Sequence, residues 1–187
     1  MTVLRSGLLK RLISTLFIAL SIFVCAKAPL DARWRNKSEA ESLTKLMDEW
    51  ARTCVSPCDI PSEIADGGTG LDFLEAALRL YSRHVEVRAR DLDRCISGCT
   101  ILVDQIKSLD GSVCVDNVKE WWIHRAIVTN DEGRQVGLGS YPMYHSPRLI
   151  EWLRENGGIP ADGSFTKPPM SLIYESYGKC GVPGFFR

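Results

Sequence analysis

Cys95-Ile96-Ser97-Gly98-Cys99-Thr100 is the stretch that most constrains what this chain can fold into. Before it, Val85-Glu86-Val87 alternates as a half-buried strand does. After it, Ile101-Leu102-Val103 with Ile106 is continuous enough for a helix buried on most sides. A strand feeding such a helix must turn sharply, and the turn sets Ser97 at the helix start. There Gly98 N–H is one of the helix N-terminal donors that no carbonyl of the helix can satisfy. Upstream, Asp66-Gly67-Gly68-Thr69-Gly70 makes a glycine turn that brings a second candidate donor, Gly68 N–H. Downstream, Trp121-Trp122-Ile123-His124 places an imidazole one helix and one short strand beyond Ser97. That connection can return His124 to Ser97, because adjacent parallel strands lie about 4.8 Å apart.

Residues 1–28 read as a secretory segment. Arg5, Lys10 and Arg11 precede an apolar run from Leu12 to Cys25, and Ala26-Lys27-Ala28 follows as a small-residue cleavage site. The run is shorter than the roughly 20 residues a spanning helix needs. Pro29 directly after Ala28 hinders cleavage, so the alternative is an uncleaved inner-membrane anchor at residues 12–25 with the domain outside. Either way residues 29–187 are expected as a single exported domain, periplasmic or secreted, long enough for a real core. Losing residues 1–28 removes four basic residues and no acidic ones, leaving 19 Lys and Arg against 23 Asp and Glu. A net charge near −4 gives no electrostatic reason to expect nucleic acid or anionic lipid as a partner. Contact with a membrane is expected only through the N-terminal segment.

Export also frames the cysteines. Beyond Cys25 the chain keeps Cys54, Cys58, Cys95, Cys99, Cys114 and Cys180, an even number that reads as up to three disulfides with fifteen connectivities open. The competing reading is zinc held by the Cys54/Cys58 and Cys95/Cys99 pairs, whose C-x3-C spacing sets two thiolates one helical turn apart. An oxidising compartment favours disulfides, and we expect neither metal nor cofactor.

The remaining elements follow from period and caps. Ser38-Glu39-Ala40-Glu41 reads as a capping box opening a helix with Leu43, Leu46, Met47 and Trp50 on one stripe. Ile60 to Ala65 reads as a strand running into Gly67-Gly68. Leu71, Leu74, Leu78 and Tyr81 form the stripe of a second helix. Ala89 to Arg94 reads as a charged exposed loop, Val113 to Val115 as a strand and Trp121 to Val128 as a longer strand carrying His124. Thr129 to Gly139 reads as a loop or lid. Ser146-Pro147 reads as an N-cap with proline at the first helical position, and that helix stops at Gly157-Gly158. A last short helix from Pro168 to Cys180 is tied down by a disulfide. The order of strands, glycine turn, helices and serine turn argues an α/β fold of repeated β-α units. No internal repeat is visible in the residues themselves.

The chemistry these residues permit is acyl transfer. A serine hydroxyl needs a base to take its proton and donors aimed at the developing oxyanion. Ser97 and His124 supply the first, and the Gly68 and Gly98 amides the second. The plain alternatives are a helix cap for Ser97, a core or rim histidine for His124, and an ordinary turn for Gly67-Gly68. His84 and His145 offer no stronger case.

Gly67-Gly68, then Cys95-Ile96-Ser97-Gly98-Cys99-Thr100, then Ile123-His124 resembles the pattern of Clp-type serine peptidases in the Clp/crotonase superfamily. It is most similar to exported bacterial proteins of that superfamily that carry a C-x-S-A-C core. The resemblance covers roughly residues 58 to 128. It implies a superhelix of β-β-α units, with Ser97 as nucleophile, His124 as base, and Gly68 and Gly98 as the oxyanion hole. Gly98 stands where alanine is commoner in that family. No motif marks the acid of a triad, for which Glu175, Asp162 and the nearer Asp131 are the candidates. The expectation is an exported serine hydrolase acting on peptide or protein substrates in the cell envelope, and such relatives often form oligomeric rings. The alternative is a non-catalytic envelope protein that binds a partner on the same scaffold.

Overall fold

The computed structural model describes residues 37–125, 127–129, 135–138 and 146–181. The secretory segment, Asp131, His145 and residues 130–134 and 139 of the expected loop lie outside the described residues. Among those described, no helix is long and apolar enough to cross a membrane.

The chain is an α/β fold with parallel strands. Helix α1 (Lys37–Thr53) buries Leu43, Met47, Trp50 and Ala51 and leaves Leu46 half-exposed. It already includes Lys37, so Ser38 lies inside the helix and is not its cap. Strand β1 (Cys58–Asp59) follows, then a single helical turn, α2 (Ser62–Ala65). The expected strand at Ile60 to Ala65 is therefore mostly helix. Ile60 and Ile64 are both buried, and a spacing of four suits one face of a helical turn as well as one face of a strand.

Helix α3 (Gly70–Ser82) buries Phe73, Ala76, Ala77 and Leu80. Its face is not the expected one: Leu71, Leu78 and Tyr81 are exposed, and Leu74 packs only at the rim of the core. The two alanines explain the choice, since small side chains let α3 lie close against α1 and the next helix. Arg83, at the end of α3, donates to the carbonyls of Ala51 (2.7 Å) and Cys54 (2.8 Å), which α1 cannot satisfy itself.

Two pairs of strands carry the centre of the fold. Strand β2 (Val87–Arg90) lies between β1 and β4 (Val113–Asp116) in one parallel sheet. Strand β3 (Arg94–Ile96) pairs in parallel with β5 (Glu120–Trp122) in a second. Helix α4 (Gly98–Ser108) connects them and is buried along almost its whole length. The expected charged loop at Ala89 to Arg94 is instead the end of β2, a tight turn and the start of β3.

A repeat appears here that residue identity conceals. Val87 faces Val113 and Arg94 faces Glu120, so both sheets advance along the chain by the same interval. Positive φ recurs at that interval, at His84 and Asp110 and again at Asp91 and Asn117. The helix-terminating bonds recur too: Val85 N–H donates to Leu80 C=O (3.1 Å) and Gly111 N–H to Ile106 C=O (2.9 Å). Facing residues bond across the step, Asn117 to Asp91 and Lys119 to Asp93. Aspartate and asparagine tolerate the left-handed turn, which is why they stand at three of those four positions.

Beyond β5, strand β6 (Ile127–Thr129) pairs antiparallel with β7 (Gln135–Leu138), where a single strand and a loop were expected. Helix α5 (Pro147–Glu155) starts as expected: the Ser146 hydroxyl accepts from Leu149 N–H, and Pro147 takes the first helical position. Gly157 and Gly158, both at positive φ, end it. Helix α6 (Met170–Tyr177) docks on the core through Tyr177, whose hydroxyl donates to the buried Asp104 of α4 (3.0 Å) and whose ring stacks on Trp121 (5.5 Å). Trp121 is buried and Trp122 partly exposed, as opposite faces of one strand require.

The six cysteines form three pairs at disulfide distance: Cys54–Cys58, Cys95–Cys99 and Cys114–Cys180, with Cα separations of 5.9, 5.3 and 5.0 Å. The first joins the end of α1 to β1, and the last ties the chain after α6 to β4. Both C-x3-C pairs close on themselves, and among the described residues no group of three or more His, Cys, Asp or Glu is placed to hold a metal ion.

Candidate functional site

The turn between β3 and α4 holds a non-glycine residue at positive φ. Ser97 has φ 49° and ψ −104° and occupies the N-cap position of α4, yet its side chain caps nothing. A capping serine is normally extended. This one is left-handed, at a cost of about 1–3 kcal/mol for a residue with a Cβ. Its hydroxyl makes no hydrogen bond among the described residues, and the residue is partly exposed. The strain is held from several sides. Ser97 N–H donates to Trp122 C=O (3.0 Å), and Ser97 C=O accepts from Ile101 N–H (3.0 Å) and Thr100 Oγ1 (2.7 Å). The buried Cys95–Cys99 pair spans the turn two residues either side of the serine.

The glycine turn presses on this point. Gly67 has φ +82°, and a Cβ there would lie 2.7 Å from Ile96 O, 3.1 Å from Ser97 Cβ and 3.2 Å from Gly98 N. Gly67 is thus the residue of the pair that must lack a side chain for the two turns to meet. Its own N–H is committed to Ile64 C=O (3.2 Å), whereas Gly68 N–H and Gly98 N–H have no partner among the described residues. At Gly68 a Cβ would meet Leu43 Cδ2 at 2.6 Å, and at Gly98 it would collide with the Phe73 ring. That packing accounts for glycine at position 98 in place of alanine.

His124 lies just past β5, not on a strand. Ser97 N–H bonding to Trp122 C=O extends the parallel register by one pair, so His124 follows Ile123, the residue facing Ser97. Ile123 is fixed by a two-bond bridge with Thr166 (2.9 and 2.7 Å), which carries Phe165 across the imidazole. The Phe165 ring meets His124 edge-on at 4.8 Å and the Trp122 ring at 5.2 Å. Burial holds the His124 pKa below the ordinary histidine value of 6.5, against a backbone hydrogen bond with Arg125 that favours the charged form. Nδ1 is buried and has no hydrogen-bond partner among the described residues.

Neither described candidate acid engages the imidazole. Asp162 is exposed and accepts from the Ser164 hydroxyl (2.7 Å) and N–H (2.9 Å), which hold its carboxyl below the usual range. Glu175 pairs with Arg148. His84 follows the C-cap of α3 at positive φ, its N–H donating to Tyr81 C=O (2.9 Å). The structure thus brings the Gly67 turn up against Ser97 and Gly98, sets His124 one residue past the register partner of Ser97, and leaves Asp162 and Glu175 with other partners.

Three contributors escape a reading of the residues alone. Gly67, not Gly68, makes the close approach. Asp66 and Arg94, oppositely charged and flanking the glycine and serine motifs, form a two-point ion pair (2.8 and 3.2 Å). That complementary flanking was a usable signal. Phe165 had none, since nothing local to it points to His124. Compared with models of known families, with curated proteins and with solved structures, the chain matches none.

Proposed function

We propose that this protein is an exported serine hydrolase of the Clp/crotonase type, a peptidase acting in the cell envelope through Ser97 and His124. The observation that carries the reading is the left-handed Ser97, held under strain with a hydroxyl that caps nothing. Strained strand-to-helix turns of this kind present nucleophiles. The equal step of the two sheets supports a superhelix of β-β-α units, and three cysteine pairs at disulfide distance support export.

In this mechanism Ser97 Oγ attacks the substrate carbonyl as neutral His124 takes the hydroxyl proton. The lowered pKa keeps the imidazole in its accepting form. Gly68 N–H and Gly98 N–H, the latter at the N-terminus of α4, hold the oxyanion of the tetrahedral intermediate. His124 returns the proton to the leaving amine, and a water deprotonated by the same ring then releases the acyl group from Ser97. The reading calls for no metal or cofactor. Among the described residues no carboxylate engages Nδ1, so in this reading the pair works as a dyad. Loss of a triad's acid costs up to about 10⁴ in turnover, so a slow enzyme is expected.

The same bare Nδ1 favours a second reading, a binding protein on this scaffold that has no turnover. Labelling of residues 29–187 with a fluorophosphonate probe decides between them. Adduct formation at Ser97, lost in both Ser97→Ala and His124→Ala, establishes the nucleophile. An oxidised, folded protein that takes no label leaves the binding reading standing.

A further inference from the structure

We propose that the Asp66–Arg94 ion pair positions the donor turn against the nucleophile turn, so that Arg94 and Asp66 are positioning residues of the site. The inference rests on the hydrolase reading above. Arg94 opens β3, three residues before Ser97, and Asp66 immediately precedes Gly67. Arg94 Nε donates to Asp66 Oδ1 (2.8 Å) and a terminal guanidinium nitrogen to Oδ2 (3.2 Å). Two parallel bonds between planar groups fix orientation as well as distance.

What that fork holds is otherwise weakly anchored. The Gly67-Gly68 turn follows a helix of four residues, and its own backbone bond is Gly67 N–H to Ile64 C=O at 3.2 Å. It must nevertheless keep Gly67 so near Ser97 and Gly98 that a Cβ there would lie 3.1 Å from Ser97 Cβ and 3.2 Å from Gly98 N. The guanidinium also sits 5.6 Å from the centre of the Trp122 ring, and Trp122 is the residue whose carbonyl accepts from Ser97 N–H. The ring is held in turn by Glu120, which accepts from Trp122 Nε1 (3.0 Å), and by Lys167 Nζ at 3.8 Å from its centre. One side chain therefore spans the glycine turn, the strand leading to the nucleophile and the strand leading to the base.

Both partners are about half-exposed, at 45% and 41%, and such pairs contribute little to global stability. Geometry, not stability, is what the pair supplies. A donor displaced by about 1 Å is enough to cost an oxyanion site much of its effect.

The test is the second-order rate of fluorophosphonate labelling, read beside Tm, for the parent, Arg94→Met, Arg94→Lys, Asp66→Ala and the double variant Asp66→Ala/Arg94→Met. Arg94→Met and Asp66→Ala each slow labelling roughly tenfold or more, with Tm within about 3 °C of the parent. The pH midpoint of the rate stays where it is, because His124 is untouched. The double variant is no slower than the slower single, and Arg94→Lys recovers part of the rate. Equal rates in parent and variants overturn the proposal, as do additive losses or a loss that tracks a large fall in Tm. A parent that takes no label sinks the hydrolase reading, and this proposal with it, an outcome distinct from equal labelling throughout.

Discussion

The ring of Phe165 stands edge-on to the ring of His124, 4.8 Å from centre to centre. An aromatic edge thus occupies the flank of an imidazole whose Nδ1 has no hydrogen-bond acceptor among the described residues. Ring packing and the Ile123–Thr166 bridge both bear on how the imidazole is oriented.

That arrangement sets a pH dependence. Burial depresses the His124 pKa, so labelling of Ser97 rises with pH and levels off above a midpoint lower than 6.5. Phe165→Ala uncovers the ring, moves the midpoint up toward 6.5 and slows labelling, whereas Phe165→Leu retains more of the burial and shifts it less. The same depression links to stability. Between the folded-state pKa and 6.5 the unfolded chain binds more protons, so stability falls as pH drops through this window. NMR titration of His124 in the parent and Phe165→Ala, with Tm against pH, checks both; a midpoint above 6.5 in the parent contradicts this account.

The backbone of Ser97 makes a prediction that opposes function. Glycine relieves a left-handed residue of its Cβ penalty, so Ser97→Gly is more stable than Ser97→Ala by about 1 kcal/mol. Both variants lose labelling. Urea denaturation of the two gives the difference, and equal midpoints would mean that Ser97 is not strained.

Two of the cysteine pairs divide stability from activity. The Cys114–Cys180 pair closes a separation of 66 residues and Cys95–Cys99 one of 4. Chain-entropy reasoning assigns about 4 and about 2 kcal/mol to them. Cys114→Ala/Cys180→Ala therefore lowers stability more but leaves Ser97 reactive in the folded fraction. Cys95→Ala/Cys99→Ala lowers it less and slows labelling at least roughly tenfold, because the turn geometry is no longer held. Thermal unfolding beside probe kinetics separates the two effects, and full reactivity in the second variant would show that the pair is not what holds the serine.

Gly98 and Phe73 form a matched pair. Gly98→Ala drives a methyl into the Phe73 ring and costs about 1–3 kcal/mol. Phe73→Leu in the same chain recovers most of it, and a double-mutant cycle by denaturant unfolding measures the coupling. Additive losses would mean that the ring simply moves aside.

The serine turn was legible in the sequence from the apolar helix pattern that follows it, although the strand that feeds it, β3, starts where a charged loop was expected and the strand pattern at Val85 to Val87 belongs to β2. The start of α5 was legible because Ser146-Pro147 is a strong local signal. The inward face of α3 was not. Leu71, Leu74, Leu78 and Tyr81 satisfy helical periodicity as well as Phe73, Ala76, Ala77 and Leu80 do, and hydrophobicity ranks the wrong set first. Close helix packing chooses the alanines, and that is a tertiary fact. The internal repeat was hidden because its members share backbone conformation rather than identity, His84 with Asp110 and Cys95 with Trp121. His124 was placed on a strand since Trp121 to Val128 is apolar enough for one. The Thr166 segment, remote in sequence, takes over pairing at Ile123. Phe165 and the contact at Gly67 depend on such distant segments and leave no local trace.

The advance from Val87 to Val113 equals that from Arg94 to Glu120, which makes the registers of the two sheets one quantity rather than two. A residue gained or lost within α4 displaces β4 from β2 and β5 from β3 together, and carries His124 away from Ser97 in the same motion. The span from Gly98 to Ile123 behaves as the pitch of a screw. Its side chains can be exchanged wherever packing allows, but its length is fixed by the two registers it must satisfy at once.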